Sequence, residues 1–110
     1  MSAKQANPGP GVAVVVYLRD PREQCWGILR GLETAGVWLR GVDMNAFEDW
    51  ARAIAAGRDD GVTASTLFIP HLRIEKMVVD EDYASVPSMS RKLREITGKT
   101  AEDILLETEA

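Results

Sequence analysis

Residues 24–32 read QCWGILRGL, and the fold reading turns on them. Trp26, Ile28 and, less cleanly, Arg30 and Leu32 alternate with Cys25, Gly27, Leu29 and Gly31. That is the two-residue period of a β-strand. Gly27 and Gly31 add a second message, because glycine inside a strand marks sharp bending or close approach of another backbone. A small barrel needs that bending.

The neighbouring stretches extend the pattern. Residues 12–18, VAVVVYL, are branched, aromatic and too few for an ordinary helix, so they predict a buried strand. Pro21 ends it in a turn. Residues 33–36 (ETAG) predict a hairpin turn with Gly36 free to take a positive φ, and residues 37–42 (VWLRGV) a third strand. Then the period changes. Phe47, Trp50, Ala51 and Ile54 fall at helical spacing, with Asn45 and Glu48 placed as a capping box and Gly57 as the stop. A helix is expected over 46–56, followed by a solvated loop over 58–61.

Residues 66–69 predict a fourth strand, punctuated by Pro70, and residues 73–79 a fifth. Asp80, Glu81 and Asp82 close it as a solvated turn, since they lack the oxygen spacing and glycine of a calcium loop. A helix over 88–97 stops at Gly98, and Thr100 caps a short last helix. The expected class is therefore mainly β with α additions. It is a five-stranded, strongly bent antiparallel barrel over residues 11–80, with a helix between the third and fourth strands. Residues 84–110 form a C-terminal helical extension of the same domain, and residues 1–10 a disordered lead-in. The alternative is an α+β domain with an open antiparallel sheet.

Composition narrows the function classes. Thirteen basic and 17 acidic residues give a net charge of −4, which weighs against a phosphate-binding surface. One cysteine and one histidine permit neither a disulfide nor a zinc cluster. The longest apolar run has seven residues, far below the roughly 20 of a membrane span, and no signal peptide is expected over the polar first ten residues. A cytoplasmic protein without membrane contact is expected. The sequence holds no phosphate loop, dinucleotide fingerprint, zinc-protease motif or nucleophile elbow, so no enzyme, cofactor or metal is expected.

One family resemblance stands out. Gly27-Ile28-Leu29-Arg30-Gly31-Leu32-Glu33 resembles the first motif of Sm-like proteins (the LSm and bacterial Hfq group). That motif runs glycine, any, leucine, any, glycine, apolar, acid. Phe68-Ile69-Pro70-His71-Leu72-Arg73-Ile74 is similar to the second, where two strands meet at a basic turn. The resemblance spans residues 11–80. It implies ring-like homo-oligomers built by pairing the fourth strand of one subunit with the fifth of the next. It also implies RNA contacts at the basic turn. The chain departs from the family at Ala35, Gly36 and Val37, where the base-binding asparagine would fall. It departs again at His71-Leu72-Arg73, in place of Arg-Gly.

Two functional expectations follow. The first is a non-catalytic, self-associating binding module that takes a protein partner beside Trp50 and Phe47 on the first helix. The second is an Sm-like RNA-binding protein using His71, Arg73, Arg30 and Arg40, with Arg30 and Arg40 facing each other across the hairpin. Trp26, Trp38 and Trp50 are expected in the core, since each buries a large apolar area, and an exposed one would instead mark a partner site.

Overall fold

The computed structural model describes residues 9–58 and 63–107. The elements run β1 (Ala13–Leu18), β2 (Glu23–Leu32), β3 (Gly36–Asp43), a 3-10 turn (Met44–Ala46) and α1 (Phe47–Ala55). β4 (Ser65–Pro70), a 3-10 turn (His71–Arg73), β5 (Ile74–Val79), α2 (Met89–Thr97) and α3 (Ala101–Glu107) complete them. Most of the expected N-terminal lead-in and part of the loop after α1 lie outside the described residues, as do the last three residues.

The five strands form one antiparallel sheet in the order β4-β3-β2-β1-β5. It is not closed. β4 and β5 are its two edges, and alternation of the antiparallel pairings makes them run in the same sense. Three residues cannot bring two same-sense strands side by side, because a parallel pair needs a crossover of about a dozen residues or more. β5 therefore continues from β4 instead of pairing with it.

The short link still forces curvature. Five strands spaced about 4.8 Å apart would make a flat sheet about 19 Å wide. The 3-10 turn, at about 2 Å per residue, covers only about 6 Å. The sheet must coil to bring its edges within that reach. Gly27 and Gly41, register partners on β2 and β3, permit the coiling. A Cβ on either would overlap backbone atoms of the opposite strand. Gly36 serves the same end. It sits in extended β3 and not at a positive φ, and a Cβ there would overlap the Ile69 carbonyl.

Both faces of the coiled sheet are buried, which blurs the alternation in the sequence. Val14, Val16, Leu18, Cys25, Leu29, Val37, Leu39 and Ile69 pack together with no helical residue among them. They are the inside of the coil. On the outer face Val15, Trp26, Ile28 and Val42 pack under Phe47, Trp50 and Ala51 of α1, Leu93 of α2 and Ile104 and Leu105 of α3. Each large side chain fully buried this way stabilises the fold by about 1.5–3 kcal/mol.

The helix starts differ from the capping patterns in the sequence. Asn45 is not the cap of α1. Asp43 accepts from the Asn45 N–H at 2.7 Å and starts the 3-10 turn that leads into α1, whose own N-cap is Ala46. Glu48 pairs instead with Arg52 one turn on. α2 is capped by Ser88, whose hydroxyl accepts from Arg91 N, and stops at Gly98 in the left-handed region (φ 76°).

The acidic stretch before α2 is not simply a solvated turn. The Asp80 carboxylate accepts from the Met89 and Ser90 backbone N–H groups and the Ser90 hydroxyl at 2.7–2.8 Å. It also accepts from the indole N–H of buried Trp26 at 2.9 Å. Asp82 accepts from Ser88 N at 2.8 Å. The first amides of α2, which have no intrahelical partner, are thereby satisfied, and the helix is tied to the outer face of the sheet.

Candidate functional site

Trp38, Arg40 and Val42 share the outer face of β3, because side chains two apart in a strand point the same way. Their fates differ. Val42 lies under the helices, Arg40 is 7% exposed and Trp38 is 38% exposed. The helical cover ends between them. Beyond it Trp38 meets Phe68 of β4, its register partner and also 38% exposed, at a ring separation of 5.1 Å. One glycine lets a ring lie low: a Cβ on Gly36 would strike the Phe68 ring, whereas one on Gly31 would make only ordinary contact with the Trp38 ring. The Trp38 indole N–H donates to the Glu33 carboxylate at 2.8 Å, which fixes the indole plane.

This aromatic pair borders an open backbone edge. His71 N–H donates to Ala35 C=O, so residues 71 and 35 form a hydrogen-bonded pair. Pairs alternate along an antiparallel ladder. Ile69, Leu67 and Ser65 thus bond to β3, while Thr66, Phe68 and Pro70 direct their backbone groups outward. Pro70, lacking an N–H, occupies an outward position, where a ladder loses nothing. Among the described residues nothing pairs with this edge.

Three of the expected basic residues, Arg40, His71 and Arg73, hold parts of the fold together, and only Arg40 does so from a buried position. Arg40 is buried, and its guanidinium donates to Leu105 C=O at 2.9 Å and Ala64 C=O at 3.2 Å. It ties the C-terminal end of α3 to the chain entering β4. Arg30 does not face it. The register pairs Arg40 with Ile28, and the bulge between Leu29 and Gly31 leaves Arg30 exposed with no cross-strand position.

His71 and Arg73 flank the tight turn and hold two hairpins to it. His71 Nε2 lies 3.0 Å from Glu33 C=O on one side. On the other, Arg73 donates to Arg19 C=O at 2.7 Å and Pro21 C=O at 3.0 Å, and pairs with Glu23 at 2.8 Å. Leu72 between them is 84% exposed.

Phe47 and Trp50 were expected to meet a partner but are core residues, 4% and 3% exposed. Phe47 meets Trp26 edge-on at 5.3 Å, and Trp50 lies 6.1 Å from the same ring. Trp50 borders a cleft of about 400 Å³ whose lining mixes Ile54 and Ile104 with Arg58, Lys99, Asp103 and Glu107. Burial pushes the Cys25 thiol up from its ordinary pKa, with Asp43 and Glu23 adding to the effect. Among the described residues, no three histidine, cysteine or acidic side chains gather as metal ligands. None of the helices described is long and apolar enough to cross a membrane.

Sequence reasoning favoured the core for all three tryptophans, left exposure open as the mark of a partner site, and did not single out Trp38 as the exposed one. The available signal was position: Trp38 lies two residues from the hairpin, beyond the reach of any predicted helix. Comparison with protein-family models, curated proteins and solved structures returned no match to this chain.

Proposed function

We propose that this protein is a non-catalytic small-barrel module that self-associates and binds through its sheet edge. One observation carries the reading. The exposed Trp38–Phe68 pair lies beside an unpaired, uncharged β4 edge, while His71, Arg73, Arg40 and Asp80 are engaged in holding the fold. Exposed strand edges are templates for another chain, and an aromatic group beside one adds apolar area to backbone pairing. The coiled sheet, with its tight turn between β4 and β5, is in keeping with the small-barrel reading.

Native mass spectrometry of the full chain, purified without nuclease, tests this. The expected result is a multiple of 12.1 kDa that nuclease leaves unchanged. A monomer at every concentration overturns self-association. Extra mass that nuclease removes moves the assignment to the Sm-like RNA-binding reading.

A further inference from the structure

We infer that the β4 edge is a two-fold interface, in which β4 pairs antiparallel with β4 of a second copy of this chain about Leu67. The inference rests on the self-associating reading above and specifies its surface.

The outward donors of β4 are the N–H groups of Thr66 and Phe68, and their carbonyls are the matching acceptors. Centring the two-fold on Leu67 sets Thr66 against Phe68 of the second copy. Each of these donors then meets one of these acceptors, and Pro70 falls outside the ladder. The edge is self-complementary, as an isologous interface requires. Ser65–Pro70 contains no charged residue, so two copies bring no like charges together. Phe68 lies on the outer face at the seam, opposite Thr66 of the second copy, with Trp38 one strand further in.

β5 is built to stay apart. Asp80 N–H donates to Ala13 C=O, so by the same alternation Met77 and Val79 present the outward groups, up to the bulge at Glu75 that breaks the ladder opposite Tyr17 and Leu18. Glu75 and Lys76 put charge on that edge, a device that keeps strand edges from pairing.

Amide hydrogen exchange of the wild-type full chain, with its mass measured in parallel, tests the inference. The expected species is a dimer in which the Thr66 and Phe68 amides gain protection as concentration rises. Thr66→Pro, which removes an outward N–H and with it the hydroxyl 3.5 Å from the Arg40 guanidinium, and Phe68→Lys, which leaves that contact in place, should each halve the mass while keeping a cooperative melt. Val79→Pro, which removes an outward N–H of β5, should leave the dimer intact. A larger ring, or loss of assembly in Val79→Pro, overturns the β4 two-fold but leaves self-association standing. Fast exchange at Thr66 and Phe68 in an assembled sample does the same. A monomer throughout overturns both.

Discussion

The outer face of this sheet carries two aromatic groups with opposite fates. Trp26 lies fully buried under three helices and packs against Phe47 and Trp50 of α1. Trp38 and Phe68, on the same face, keep more than a third of their surface in contact with water. The chemistry of the rings is similar, so composition does not separate the groups. Helix placement does. Asp80 anchors α2 over Trp26, and Arg40 anchors the end of α3 just short of Trp38. The cover stops at a buried arginine, and what lies beyond is left in contact with water.

That contrast can be broken at its foundation first. Leu39 is fully buried inside the coil, beneath both groups. Leu39→Asp places an unpaired charge there and should unfold the domain, since the cost of about 3–5 kcal/mol or more approaches the whole stability of a small domain. A cooperative melt near wild type would contradict the placement of β3. The sharpest comparison is between two tryptophans. Trp26→Ala should destabilise by about 3–5 kcal/mol, whereas Trp38→Ala should cost about 1 kcal/mol or less in the monomer and act mainly on self-association. Equal losses in urea melts would erase the distinction between covered and uncovered halves.

Asp80→Ala tests what holds the cover in place. It frees two helix amides and strands the buried Trp26 N–H, so a loss of about 2–3 kcal/mol is expected. Arg73→Ala releases the turn near Pro21 and should cost about 1–2 kcal/mol, because a charged donor to two carbonyls and a carboxylate is lost. A silent Arg73→Ala melt would return that side chain to the list of free ligand contacts.

The smallest effect is acidic. The Ser88 N–H, and secondarily Arg91, hold the Asp82 carboxyl below its usual 3.8. A carboxyl depressed in the folded state adds stability above its unfolded pKa and loses it as pH falls through the folded one. Asp82→Asn should therefore flatten the acid limb of the stability profile below about pH 4. An unchanged limb would mean that Asp82 does not secure the start of α2.

The strands and helices were legible in the sequence because short-range signals specify them. β-branched runs marked β1, glycine-punctuated alternation marked β2, and helical spacing marked α1. Ser88, Gly98 and Thr100 act at helix ends as their types suggest. The site was less legible. His71, Arg73 and Arg40 are residue types that bind ligands elsewhere, and only their partners, 24 to 65 positions away, reveal structural use. Asp80 read as solvent-facing because its partners lie on another strand and another helix.

The sequence by itself determined the five strands, the three helices and their order, since each element's periodicity and end signals are local. Tertiary structure alone decided that the sheet stays open and which aromatics are covered. A three-residue link between same-sense strands coils the sheet without pairing its edges. Long-range hydrogen bonds then set how far the helices reach across it.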